Sequence, residues 1–463
     1  MKMKVTKKQL GVFIASLMAL NTLQAQESDT IPGVIEKMTS DIKVMNNLKI
    51  SGYVQVQGQW IEKQDNQAYK VPSVAGGDFP AYYNDRFGVR RGRLKFAYSS
   101  NPLSQFVIQF DATEKGMGLK DAYVKFTEPF AKIASITAGV FNRPFGYEIE
   151  YSSSSRETPE RSRMIQALFP QERDLGAMLT LQAPKTSNWN FIKLDIAGIA
   201  GNGINQDIDK YKDVIARLNF VKSYYNEKLK LSGGLSYYYG GFANQTKSVY
   251  KVGTDTTGTL KFIADTKNDN LYKRSMKELK GIDMQVSADM PWGLMTFRGE
   301  YITGQQPSTA SSNVYPTTLS DSYTTTASTK DNVTSYTTKV EKKLGDTYIR
   351  NVNGYYFYFV QNILQSRHQI VIKYDVFNPN AKVSGTQIDG KNFTTADMMY
   401  KTLGIGYILK IDANTKLMIY GDFVKNEKTK IGATKDSKGN VTDPGWESDR
   451  KDNVLTVRLQ YKF

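Results

Sequence analysis

The chain closes on a period of two. In its last eleven residues, Leu455, Val457, Leu459, Tyr461 and Phe463 fall on one parity, and Thr456, Arg458, Gln460 and Lys462 on the other. Side chains of a strand alternate between its faces, so this segment has one apolar face and one polar, cationic face. The same rhythm begins at Asn47. Leu48, Ile50, Val54, Val56 and Trp60 share one face, and Lys49, Ser51, Gln55, Gln57 and Gln59 the other. Between these ends the pattern predicts about sixteen strands, from 47–61 to 453–463, with 281–289, 293–302 and 353–362 among them.

The connections sort by length. Tight turns are expected at Ser99-Ser100-Asn101-Pro102, Glu128-Pro129-Phe130, Pro291-Trp292 and Asp412-Ala413-Asn414-Thr415. Between them lie long segments at 62–85, 142–172, 240–280, 303–352, 378–401 and 426–452; only 113–118 is brief where a long one is due. The Ser-, Thr- and Tyr-rich segment 303–352 reads as a solvated surface loop. Short turns at one end and long loops at the other, on strands with an apolar outside, describe a transmembrane antiparallel β-barrel of the bacterial outer membrane. A soluble sandwich or propeller does not sort its loops this way. The expected fold is therefore all-β, a barrel of about sixteen strands over 47–463.

Upstream, Lys2, Lys4, Lys7 and Lys8 precede an apolar core from Leu10 to Leu20. Leu23-Gln24-Ala25 offers a cleavage site, so 1–25 reads as a secretory signal peptide. In 26–46, Ile31, Ile35, Met38, Ile42 and Met45 are spaced 4-3-4-3. That spacing predicts a short periplasmic helix, packed on its own barrel or joined to copies in a coiled coil.

Composition narrows the chemistry. There is no cysteine and one histidine, so thiol catalysis, iron–sulfur clusters and a histidine-based metal site are not expected. After the leader, no apolar run is long enough for a helical span. The net charge of +16 falls to +12 without the four leader lysines. For an exported chain with cations spread along strands, that charge points to lipid and small anions, not nucleic acid. His368 shares the parity of Ile370, Ile372 and Tyr374. That places it toward lipid or the rim, and no catalytic residue is assigned.

A barrel of this size encloses a lumen, and function depends on what lines it. Arg91, Arg93 and Lys95 share the parity opposite Leu94, Phe96 and Tyr98, about 7 Å apart along the wall. Arg86 and Arg90 have the other parity unless a bulge at Gly88 or Gly92 turns Arg90 inward. Gln105, Gln109 and Asp111 point inward next door, as do Asp121, Tyr123 and Lys125 on the following strand. Later strands add Lys193, Asp195, Arg217, Asp283, Arg298, Glu300, Lys373, Asp375 and Arg458. The connection 142–172 carries Arg143, Arg156, Arg161 and Arg163 beside Glu157 and Glu160, with Arg173 just after it. It is the one expected to fold inward as a charged constriction, the alternative being a loop whose ion pairs only hold it to the wall. Arginine suits oxyanions because its planar fork engages two oxygens at once.

Arg90-Arg91-Gly92-Arg93-Leu94-Lys95-Phe96 resembles an early strand of the phosphate-selective porin O/P family. So do Gly139-Val140-Phe141-Asn142-Arg143-Pro144-Phe145-Gly146 and Glu160-Arg161 followed by Phe169-Pro170-Gln171-Glu172-Arg173-Asp174-Leu175-Gly176. The resemblance is specific over 47–182. It implies an outer-membrane channel, commonly a homotrimer, that passes phosphate or polyphosphate along an Arg and Lys ladder with a nearby Asp. Residue by residue, it assigns Arg90, Arg91 and Arg93 to the ladder and Asp111 to the acid, with Arg143 where the motif carries Lys. The expected function is passive diffusion of small anions, phosphate or related oxyanions. A general or sugar-permeable porin, and a barrel serving as adhesin or structural anchor, remain the alternatives.

Overall fold

The computed structural model describes residues 45–62, 69–73, 75–330 and 333–463. The expected signal peptide lies outside the described residues. So does the expected helix at 26–46, except for 45 and 46, which are helical with 47.

Sixteen strands form the barrel wall. They are β1 (Leu48–Ile61), β2 (Asp85–Asn101), β3 (Ser104–Thr113), β4 (Gly116–Thr127), β5 (Ala134–Asn142), β6 (Arg173–Gln182), β7 (Ile192–Ile199) and β8 (Asp213–Tyr224). There follow β9 (Leu229–Ala243), β10 (Arg274–Met290), β11 (Gly293–Ser308), β12 (Thr347–Asn362), β13 (His368–Asn378), β14 (Tyr400–Lys410), β15 (Thr415–Asn426) and β16 (Val454–Lys462). Each pairs with the next, and β16 returns antiparallel to β1, from Tyr53↔Lys462 to Ile61↔Val454. Closure leaves no free sheet edge, which lets backbone polar groups sit in hydrocarbon.

The two parities separate as expected. Leu94, Phe106, Val124, Ile136, Leu218, Phe297, Ile372 and Leu455 are exposed on the outside. Thr456, Arg458 and Gln460 are buried on the inside. An apolar outer belt on a closed barrel belongs in a membrane, and this architecture is that of the bacterial outer membrane.

Strands β10, β11 and β12 run six or seven residues further toward the long-loop end than the pattern predicts. There Glu278 pairs with Gln305 and Lys280 with Thr303. Beyond the apolar belt the outward positions become polar, so the ladder continues while its hydrophobic signature stops. The loop read as solvated at 303–352 contains a hairpin, Ser320–Lys330 with Val333–Lys343. A second hairpin, Val249–Thr254 with Leu260–Asp265, lies parallel to the start of β12 through Val249↔Thr347.

The interior is not simply a water-filled lumen. The loop 143–172 folds inside the barrel and carries helices α1 (Tyr147–Glu150) and α2 (Arg163–Leu168). Phe145, Ile149, Met164, Ile165, Leu168 and Phe169 pack with Tyr238, Leu279, Ile302, Val352, Tyr356 and Phe377 of the wall. One side of the lumen is thus filled by an apolar core, and the cavity described below opens on β2–β4.

Candidate functional site

The loop is fixed at its root by a buried ion pair. Arg143 donates from Nε and Nη2 to Asp174 Oδ2 at 2.9 and 2.7 Å. Asp174 also accepts from the backbone of Leu175, Gly201 and Gly203. A buried carboxylate with this many donors is fully satisfied, and its charged partner holds the loop base in place. At Gly146 the chain turns in the left-handed region, with φ 62°. A Cβ there would lie 1.8 Å from Glu300 Oε1, so only glycine fits. The turn lets the backbone N–H groups of Tyr147 and Glu148 donate to Glu300 Oε2 at 3.2 and 3.1 Å.

Across the loop from the apolar core lies the arginine wall. Arg90 reaches Glu160 with Nε and Nη2 at 2.7 and 2.9 Å. Arg91 reaches the same carboxylate at 2.7 Å, and Arg458, from β16, at 3.1 Å. Arg93 pairs with Asp111 at 3.3 Å and donates to Ser153 Oγ on the loop. Arg90 and Arg91 are sequence neighbours, yet both point inward. Arg86, with Arg90's parity, also donates inward, to Gln59. The alternation of β2 therefore changes phase between Arg90 and Arg91, which brings both sets of cations to one face.

A second irregularity does the same on β4. Gln109 pairs with Asp121 but Phe110 pairs with Leu119, so Lys120 is an extra residue in the ladder. It lines the cavity beside Asp121, which accepts from Arg173 Nε at 3.0 Å. At the far end of the loop, Gln171 and Glu172 both take left-handed backbone, with φ 69° and 68°. This uncommon pair turns the chain into β6 and presents Glu172 to Arg161 and Arg173.

These groups surround a cavity of about 290 Å³. Its charged lining is Arg90, Arg91, Arg93, Lys120 and Arg161 against Asp111, Glu160 and Glu172. Five cations and three carboxylates leave a formal charge of +2. A second cavity of about 340 Å³ shares Arg90 and extends past Arg86 to Glu114 and Lys115, at the brief β3–β4 connection. A third shares Gln166 and leads to Arg163 and Tyr400. Burial works against the charge on Glu160, but Arg90, Arg91 and Arg458 outweigh it and hold the carboxyl well below its usual range. Glu172 is held low in the same way by Arg161, Arg173 and Lys120.

The expected site residues divide into three groups. Arg90, Arg91, Arg93, Asp111 and Arg161 line the cavity, and Arg173 backs it through Asp121 and Glu172. Lys95 and Lys125 lie opposite Gln109 and Gln105, toward the short-turn end, half-buried and without an ion pair among the described residues. Arg143 does not face the cavity: it is fully buried in the clamp to Asp174. The later candidates do point inward, in pairs such as Lys193–Asp195, Arg217–Asp283, Arg298–Glu157 and Lys373–Asp375. The entry of Lys120 into the cavity and the convergence of Arg90, Arg91 and Arg458 on Glu160 were not read from the sequence. His368 is exposed near the short-turn end, with Nδ1 2.6 Å from the Tyr407 hydroxyl.

No protein-family model matches the chain, and no curated protein matches it significantly. Solved structures do. The high-pH structure of Pseudomonas putida OprB aligns with a TM-score of 0.53 and 10% identity, covering 92% of this chain and 96% of that one. The fold is that of an outer-membrane porin. The outer-membrane channel DcaP of Acinetobacter baumannii aligns at a TM-score of 0.48 and 10% identity, over 90% of this chain and 97% of its own.

Proposed function

We propose that this porin-fold barrel is a passive diffusion channel for small anionic solutes, with phosphate or related oxyanions as the favoured class. The observation that carries the reading is the cavity between the arginine wall and the inward loop, whose charged lining sums to +2. Field lines focus in a narrow polar space bounded by low-dielectric walls, so this excess raises the local anion concentration. The carboxylates matter equally. They orient the guanidinium forks and compete with the solute, so that it binds weakly enough to leave.

The residues proposed to contact the solute are Arg90, Arg91, Arg93, Lys120 and Arg161, with Asp111 as the moderating acid. Lys95 and Lys125 are proposed to extend the cationic track below the cavity. Arg173 is proposed to act through Glu172 and Asp121. The driving force is the concentration gradient. The resemblance of 47–182 to the phosphate-selective porin O/P family supports the oxyanion reading and is the basis for proposing a homotrimer.

The test is reconstitution of the mature protein in planar bilayers, with reversal potentials under salt gradients and phosphate added against chloride. The expected result is a reversal potential on the anion side and a chloride current reduced by phosphate. A cation-side or unselective potential overturns the reading.

A further inference from the structure

We infer that Glu160 is a built-in substitute ligand: the cradle formed by Arg90, Arg91 and Arg458 is an oxyanion subsite that the channel's own loop fills at rest. The inference deepens the anion-channel reading and rests on it.

Three guanidinium groups converge on the two oxygens of one carboxylate. Arg90 contributes a two-pronged contact at 2.7 and 2.9 Å, Arg91 a contact at 2.7 Å, and Arg458 one at 3.1 Å. Charge-assisted, forked donation of this kind is how proteins bind phosphate and carboxylate ligands. The three arginines come from β2 and from β16, strands on either side of β1, so the cradle belongs to the wall. The carboxylate comes from the loop, next to Pro159, whose carbonyl also accepts from Arg458 at 2.7 Å. Wall supplies the receptor and loop supplies the occupant.

Position makes the occupant exchangeable. Arg90 is one-third exposed, and Glu160, Arg90 and Arg91 all border the 290 Å³ cavity. A solute oxyanion in that cavity meets the cradle from its open side. The loop does not depend on Glu160 for its place, because Arg143–Asp174 and the core around Phe145 and Phe169 hold it independently. A solute can therefore take over part of the cradle while the constriction stays assembled, and the tethered carboxylate then displaces it. The tether sets how long an oxyanion stays.

The experiment measures the inorganic phosphate concentration that halves chloride current in bilayers, for the wild type, Glu160→Gln and Glu160→Ala. Glu160→Gln nearly preserves shape and guards against a folding defect in the alanine variant. Removing one competing charged partner is expected to lower the half-inhibiting concentration about tenfold, the equivalent of about 1.4 kcal/mol. Adding Arg458→Gln to Glu160→Gln should return it toward the wild-type value. An unchanged or raised concentration in a conducting, anion-preferring Glu160→Gln channel overturns the inference and leaves the channel reading standing. A wild type without anion preference overturns the channel reading itself.

Discussion

Replacing Arg91 and Arg93 together by glutamine tests whether the wall sets selectivity. The two head groups line the cavity, and their loss takes its formal charge from +2 to zero. In a water-like dielectric, a unit charge at about 6 Å acts on a passing anion with about 0.7 kcal/mol. Two such charges contribute about 1.4 kcal/mol, which corresponds to about tenfold in relative permeability. Glutamine keeps an amide donor near Gln55 Oε1 and Ser153 Oγ, the neutral partners of the two arginines, so the wall geometry is retained. The assay is the zero-current potential across a planar bilayer under a KCl gradient at low total salt, where screening is weakest. Chloride permeability should fall by about one order of magnitude while potassium permeability rises as the same repulsion is lost, so the chloride-to-potassium ratio should fall by at least about tenfold. A ratio unchanged within error, from channels of normal conductance, would show that ions do not pass these residues.

Three further outcomes are expected. Asp174→Asn breaks a buried pair and leaves Arg143 without its charged partner, at a cost of about 3–5 kcal/mol; the temperature at which the folded band converts on electrophoresis should drop, and an unchanged temperature refutes the clamp. Phe145→Ala with Phe169→Ala removes two buried rings from the loop's core, each worth about 3–5 kcal/mol; single-channel conductance should rise and fluctuate, and a wild-type trace would mean the core does not hold the constriction. The Glu160 carboxyl is held below its ordinary value chiefly by Arg90, Arg91 and Arg458 working against burial, and such a group contributes stability above the unfolded value and loses it as pH falls through the folded one. The difference in phosphate half-inhibition between wild type and Glu160→Gln should therefore stay constant from neutral pH down through the ordinary carboxyl range, about 4.3, and close only in stronger acid; a difference that closes above that range contradicts the ion cluster.

The barrel was legible because one rule, alternation, governs both the lipid face and the lumen face. Leu455 and Arg458 declare their sides in a single segment, and the alternating loop lengths fix an even strand number. Alternation also failed in specific places. By itself it left Arg86 and Arg90 on the outward parity; only the glycines at 88 and 92, as possible bulge sites, and the family resemblance pointed Arg90 inward. It passed over Lys120, which enters the cavity only through an extra residue in the β4 ladder. Arg143 looked like its neighbours on the loop, but its partner Asp174 is settled by the fold, not by spacing. The apolar side of the lumen did leave a trace. Tyr237-Tyr238-Tyr239 and the run from Tyr355 to Val360 are apolar or aromatic on both parities, as strands buried on both faces are.

The mixed anchorage of the inward loop has an electrical consequence. The field that its charges cast into the open cavity is screened as electrolyte rises, whereas its buried ion pairs are screened far less and its greasy contacts are indifferent to dilute salt or strengthened by more. Brine should thus erase the channel's preference between ions and leave its bore unaltered: current should keep pace with bulk conductivity while discrimination fades.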